Sequence, residues 1–371
     1  MIFAEDPGAL NYIKPLIDDM SGSHTLTVLA SGLALQALRR WHPDTVGIDN
    51  IDRPQLPDAD MLIVGASENT CSASFDLITE ARRKGIFSIG VLDSSANISF
   101  RFCGETNDPL FYAPDLMWVP DQWTMDGLSH LGYASEKILK VGYPPLNAVA
   151  EHLDSIAEQE RALRGLARGK YIVVFVSEVS TGLNPSQYKK CEEYSLSGRQ
   201  GTQQRTSVVA EELLDSIARH KDVRERMFLL LRLHPKEREY PLPDWASEFD
   251  YVSTNEDPLA TIGVADLVIG MSSMLLNQAY WIGRKCVSIL PKKTERNWLP
   301  ITRDGNIDVL TTRREINMMV KKLQEEIRGN GEGQSRHHIT QPTVFVPEEA
   351  LRKTFCKLLQ ENQQAPNIFS D

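Results

Sequence analysis

Cysteine is scarce and unpatterned: five in 371 residues (Cys71, Cys103, Cys191, Cys286, Cys356), with no two spaced as a CxxC pair. An odd, scattered set in a chain this long is not the disulfide framework of a small secreted domain. Basic charge is also in deficit, with Lys+Arg 40 against Asp+Glu 50 and a net charge of −10. Generic nucleic-acid binding, which needs a basic surface to neutralise phosphates, is therefore not expected. No apolar run approaches the ~20 residues of a membrane span; residues 172–176 and 227–231 are strand-sized. The opening Met1-Ile2-Phe3-Ala4-Glu5-Asp6 has neither the basic start nor the apolar stretch of a signal peptide. These absences together read as a cytoplasmic protein with reduced thiols. GxxxxGK[ST], an intact GxGxxG and GxSxG are missing too, which argues against a P-loop NTPase, a standard dehydrogenase and an α/β-hydrolase. His337-His338 stands without partnering Cys or His, so no metal site is expected.

What is present is a repeated short apolar strand, turn and amphipathic helix. Strands are expected at residues 2–4, 25–30, 61–65, 86–92, 116–119 and 138–141, with helices at 10–20, 33–41, 75–84 and 122–131. Gly142-Tyr143-Pro144-Pro145 interrupts the rhythm, because Gly and paired Pro stop a strand and remove ladder donors. A charged helical stretch follows at 148–164. The rhythm then restarts, with strands at 171–176, 227–233, 250–253, 267–270 and 286–290 and helices at 208–220, 257–264, 274–283 and 314–328. Such alternation predicts an α/β chain with parallel sheets covered on both faces. The expected organisation is an N-terminal Rossmann-like domain over 1–147, a linker over 148–168, a C-terminal Rossmann-like domain over 169–345, and a terminal helix and tail over 346–371. The polar stretch 181–206 is too long for an ordinary connection and reads as a functional flap or as disordered.

Ligands of parallel α/β sheets bind beyond the carboxyl ends of the strands, so residues that immediately follow a strand are the candidates. Four segments qualify. In Glu5-Asp6-Pro7-Gly8 one carboxylate could serve as a general base, or Asp6 could simply N-cap the helix with Pro7 in its first turn. In Arg232-Leu233-His234-Pro235-Lys236 a histidine flanked by cations can hold a phosphate, with Pro235 fixing the turn; a partly buried histidine is the plain alternative. Lys236-Glu237-Arg238-Glu239 reads as a solvated turn. In Gly270-Met271-Ser272-Ser273-Met274 small hydroxyl residues at a helix start make an anion site or an ordinary Ser cap. Asn277, four residues after Ser273, lies on the same helix face and could reach a ribose. The fourth segment, Asp93-Ser94-Ser95-Ala96-Asn97 with Arg101 shortly after, could bind an acceptor or be a polar loop.

Taken jointly, these segments resemble a GT-B glycosyltransferase, whose two Rossmann-like domains face each other across a cleft. More narrowly, Glu5-Asp6-Pro7-Gly8 is similar to the acidic-acidic-glycine motif of bacterial GT-B sialyltransferases that use CMP-sugars, with Pro7 inserted before Gly8. His234-Pro235 and Ser272-Ser273 are similar to their His-Pro and Ser-Ser motifs. The Arg-x-His-Pro and Ser-Ser elements also resemble CDP-glycerol glycerophosphotransferases. Non-hydrolysing UDP-GlcNAc 2-epimerases share the architecture and a His-Pro element, but their Arg-Pro-Glu start and acidic Ser-Gly-Gly loop are not found.

The resemblance implies a mechanism. Ser272 and Ser273, with Arg232 and His234, would hold the donor phosphate, and His234 would offset charge on the departing nucleotide. Asp6, or else Glu5, would deprotonate the acceptor hydroxyl. Glu178, Asn277 and Pro235 would line the nucleotide, while Gly8, Asp93, Asn97 and Arg101 would line the acceptor, a glycan or small hydroxyl compound. The nucleotide-sugar is a substrate, CMP or UDP a product, and no cofactor or metal is implied. The alternatives are a UDP-sugar transferase, a UDP-GlcNAc 2-epimerase-like isomerase or hydrolase, and an inactive nucleotide-binding module. The basic runs Arg39-Arg40 and Arg82-Arg83-Lys84 read as solvated helix ends, with peripheral membrane contact as the alternative.

Overall fold

A computed structural model describes residues 1–22, 24–41, 56, 58–179, 190–239 and 241–329. The chain divides into two compact units, the first running from Met1 to Ala148 and the second starting at Val149. The expected helix at 348–361, the tail beyond it and His337-His338 lie outside the described residues.

The first unit carries strands β1 (Ile2–Ala4), β2 (Val28–Ala30), β3 (Met61–Gly65), β4 (Phe87–Val91), β5 (Leu116–Val119) and β6 (Ile138–Lys140). They form one parallel sheet in the order β2-β1-β3-β4-β5-β6. Successive side chains of a strand point to opposite faces. Ile2, Ala4 and Ile63 accordingly pack into one hydrophobic cluster, and Phe3, Leu62 and Val64 into another. Both faces are therefore dry, as the unbroken apolar runs require. Helix Pro7–Met20 approaches β3 closely: a Cβ on Gly65 would lie 2.5 Å from the Ala9 Cβ, so that position holds glycine. Helix Ala73–Lys84 is capped at its start by Ser72 and ends on Gly85 at φ 68. Its last turn holds Arg82, Arg83 and Lys84, where cations offset the helix dipole. Arg82 and Lys84 also donate to the carbonyls of Ala113 and Leu56.

The second unit carries β7 (Tyr171–Val176), β8 (Met227–Arg232), β9 (Tyr251–Ser253), β10 (Leu267–Gly270), β11 (Cys286–Ile289) and β12 (Asp308–Leu310). Their parallel order is β12-β11-β10-β7-β8-β9. Val173 and Phe175 serve one core, and Ile172, Val174 and Val176 the other. The sequence pattern misses β12, a three-residue edge strand that starts on an exposed aspartate. Helix Pro145–Ala167 starts on the second proline of Gly-Tyr-Pro-Pro, where a first-turn residue needs no N–H. It therefore absorbs most of the expected linker. Within the polar stretch, residues 190–204 are tied to the second unit. Leu196 is buried in its core, Ser195 N donates to the Pro291 carbonyl, and Arg199 pairs with Asp215 and Glu248. Disorder is not the right description for that part; residues 180–189 lie outside the described set.

Among the described residues no helix is long and apolar enough to cross a membrane. Among them, too, no group of three or more His, Cys, Asp or Glu is placed to hold a metal ion.

Candidate functional site

In the first unit, the expected residues that follow β1 and β4 come together. Asp6 stands at the N-cap position of helix Pro7–Met20, yet its side chain makes no cap hydrogen bond. Its carboxylate instead accepts from Ser67 Oγ at 2.9 Å, just beyond β3. The plain N-cap alternative is thereby set aside. Glu5 accepts from Asn69 Nδ2 at 2.5 Å, while its buried Oε2 has no hydrogen-bond partner. Asp93 lies so near the start of helix Pro7–Met20 that a Cβ on Gly8 would collide with its Oδ2. Arg101 is buried, with Nη2 at 3.3 Å from Glu68 Oε1 and Nη1 at 4.0 Å from Asp93 Oδ1. Asn97, in the left-handed region at φ 58, donates to Glu68 Oε1 at 3.0 Å.

One guanidinium is thus shared by two carboxylates, Glu68 and Asp93. Burial pushes the Asp93 carboxyl above its ordinary range; Arg101 pulls against this, and Asp6 and Glu68 push the same way. Tyr143, whose hydroxyl donates to the Asp93 carbonyl, packs edge-on against Tyr12 with ring centroids 5.5 Å apart. The arrangement offers a carboxyl group that keeps its proton more readily than usual beside further carboxylates, which is the pairing that acid–base chemistry uses. Gly8 is the steric condition for it. Gly8→Ala is expected to displace Asp93 and to destabilise the first unit by about 1–3 kcal/mol, the usual range for overpacking, measured by urea unfolding.

In the second unit, the residues that follow β7, β8 and β10 form one network. Ser177-Glu178, directly after β7, is its hub. Ser177 Oγ accepts from the His234 N–H at 2.9 Å and donates to Glu237. Glu178 accepts from both the N–H and the hydroxyl of Ser272, the latter at 3.0 Å. The Ser272 loop therefore already holds an anionic group, as free amides near a helix start should. Ser273 does what its plain alternative states: its Oγ accepts from Leu275 N and caps helix Met274–Trp281. Asn277, one turn further, is fully buried with neither amide atom hydrogen-bonded. Leaving a buried amide unpaired costs about 1–3 kcal/mol, so this side chain calls for a partner.

The guanidinium beside Ser272 is Arg205, which sequence reading missed. Arg232 instead lies buried against β9, with Nη1 at 3.1 Å from Ser253 Oγ. Arg205 is 1 % exposed; it pairs with Glu178 at 2.6 Å and Glu295 at 2.6 Å, and donates to Ser272 Oγ at 3.1 Å. The Trp298 ring covers it at 5.4 Å. Burial disfavours its charge, but Glu295 and Glu178 more than offset that and hold it cationic. A faint signal did exist, since Arg205 opens helix Arg205–Ala218, where the helix dipole disfavours a cation. The stretch around Glu295 carries no comparable cue. Glu237, read as part of a solvated turn, is instead drawn into the network, and burial pushes its carboxyl up to about 7.

No family model and no curated protein matches the chain in sequence. Solved structures do match it in fold. A UDP-GlcNAc 2-epimerase from Neisseria meningitidis bound to UDP-GlcNAc matches with TM-score 0.63 and 13% identity, over 96% of this chain and 98% of that one. The UDP-GlcNAc 2-epimerase from Methanocaldococcus jannaschii, in complex with UDP-GlcNAc and UDP, matches with TM-score 0.60 and 12% identity, over 96% of this chain and 99% of that one. The wall teichoic acid polymerase TagF matches with TM-score 0.51 and 13% identity, over 98% of this chain and 90% of that one. At these identities the likeness establishes the fold, which is that of the GT-B enzymes.

Proposed function

We propose that the chain is an enzyme acting on a UDP-sugar, with chemistry confined to the donor, as an epimerase or hydrolase rather than a transferase to a second hydroxyl compound. The observation that carries the nucleotide half is the Ser272–Asn277 helix start. Its amide and hydroxyl already hold a carboxylate, Arg205 stands fixed beside it, and the buried Asn277 amide has no partner one turn on. The choice of uridine over cytidine rests on the fold neighbours solved with UDP-GlcNAc, which cover nearly the whole chain. Those neighbours lend the CMP-sugar expectation nothing.

In this reading Ser272 and His234 bind the phosphates, the Ser272 N–H and hydroxyl passing from Glu178 to the ligand, and His234 offsets charge on the departing nucleotide; Arg205, paired with Glu178 and Glu295, fixes the Ser272 loop behind them. Asn277 and Glu178 take the nucleoside, and Pro235 shapes the histidine turn. The first unit supplies Asp93 with Asp6 and Glu5 for proton transfer, while Asn97, Arg101 and Gly8 hold that cluster in place. Inverting a sugar carbon that bears hydrogen means removing its proton on one face while the C–H electron pair expels the nucleotide from the neighbouring anomeric carbon, then returning a proton on the other face as the nucleotide oxygen re-forms its bond; in hydrolysis water takes the place of that oxygen. A carboxyl group that holds its proton more readily than usual, with further carboxylates beside it, suits that work. No cofactor enters the scheme.

Binding is tested by a thermal-shift panel of CMP, CDP, UMP, UDP, GDP and ADP at equal concentration. A ligand at 100 times its Kd stabilises the native state by about 2.7 kcal/mol, so the panel ranks affinities. UDP should give the largest rise, and Asn277→Ala should reduce it. A response chiefly to CMP or CDP would return the cytidine reading and remove this one.

A further inference from the structure

Glu237 is an acidic residue of this network that neither the sequence reading nor the proposed roles use. It lies three residues after His234, inside the short 3-10 helix Pro235–Glu239. His234 caps that turn twice over. Its ring Nδ1 accepts the Lys236 N–H at 3.2 Å, and its own N–H is shared between Ser177 Oγ at 2.9 Å and Glu237 Oε2 at 3.2 Å. A cap residue and an acidic residue three positions on, reaching back to its N–H, is the capping-box arrangement. Two consequences follow for the ring. With Nδ1 accepting, the neutral imidazole carries its proton on Nε2, so that edge is the one able to donate to a ligand oxygen. The Glu237 carboxyl is also held beside the residue whose charge matters.

Among the described residues, the other groups around Glu237 do not neutralise it. Glu178, next to Ser177 on the end of β7, is a further negative charge and is itself occupied by Arg205 and Ser272. The Arg232 guanidinium at the end of β8 is engaged with Ser253 on β9. Ser177 can serve Glu237 in either state. Its hydroxyl donates to the carboxylate or, when Glu237 is protonated, turns to the Arg232 carbonyl at 3.2 Å.

We propose that Glu237 is a positioning residue for His234: it holds the turn that presents Nε2 and, when ionised, favours the imidazolium form of the ring against the Nδ1 cap, which only the neutral ring can make. The role of His234 in nucleotide binding rests on the function proposed above, whereas the coupling between the two side chains does not. The test is a histidine side-chain NMR titration of the full-length, ligand-free protein, with His234→Gln used to assign the resonance. A carboxylate a few ångströms away raises a histidine pKa, so Glu237→Gln should lower the His234 midpoint by roughly half to one pH unit. Glu237→Asp, which keeps the charge but withdraws it by one methylene, should fall between. The Nε2–H form should persist in the neutral ring of the wild type.

An unchanged midpoint in the Gln variant overturns the proposal, as does an unchanged midpoint in the Asp variant if the Gln variant does not fold. A capping role without charge coupling would alter stability and leave the midpoint where it was. UDP affinity measured against pH on the same proteins separates the two readings. If UDP binds, its pH dependence should move with the His234 midpoint. If UDP fails to bind the wild type, the nucleotide assignment falls while the titration still decides the coupling.

Discussion

Arg205→Met is expected to destabilise the second unit by about 3–5 kcal/mol, the usual consequence of removing one partner from a buried ion pair. The reason is not the lost attraction alone. Glu295 is completely buried and takes two hydrogen bonds from Arg205, at 3.0 and 2.6 Å. Once the guanidinium is gone, that carboxylate must be protonated or must pull in water, and Glu178 loses a second contact. For a unit of this size each kcal/mol moves a melting midpoint by roughly 2–4 °C, so a drop on the order of 10 °C should be seen by scanning calorimetry. Arg205→Lys should recover only part of it, because an ammonium cannot span Glu178, Glu295 and Ser272 as the forked guanidinium does. A shift below about 2 °C for the Met variant would show that the triad is not held as described.

Asp93→Asn carries the second large expectation, and its signature is a split between stability and turnover. The folded state raises the Asp93 carboxyl above its ordinary value of 3.8. Between those two values the native protein holds a proton that the unfolded chain has released, so stability falls as pH rises through that window. Above that window the ionised group is a net cost to folding. The neutral amide removes that cost, and the melting midpoint should stay level or rise. Turnover of a UDP-sugar should fall by about 10²–10⁴-fold, the usual worth of a positioned acid or base. An Asn variant that melts well below the wild type would assign Asp93 to structure instead.

The sheets were readable because burial on both faces demands continuous apolar runs, and Tyr171–Val176 or Met61–Gly65 can hardly be anything else. The weak elements were those with little burial, such as Asp308–Leu310 at the sheet edge. Loop positions that follow a strand were also readable as candidates, since topology alone singles them out, and Asp6, Asp93, His234 and Ser272 were proposed that way. What sequence could not reveal is pairing over long separations. Arg205 finds its role only through Glu295, Glu178 and Ser272, which lie 90, 27 and 67 positions away. Glu237 was hidden for a different reason: in a run of alternating charges, burial of one member leaves no mark on the pattern. Arg232 shows the converse, because a cation beside a motif histidine was turned by the sheet toward β9.

On the proposed reading the chemistry needs a UDP-sugar and no second hydroxyl compound. The deciding measurement is to incubate the purified full-length protein with UDP-GlcNAc alone and follow the solution by proton and phosphorus NMR. Conversion is expected without any acceptor, either to an epimeric UDP-sugar or to UDP with a free sugar, and it should be lost in Asp93→Asn. A spectrum that stays unchanged until a hydroxyl acceptor is added would overturn this reading and make the protein a transferase.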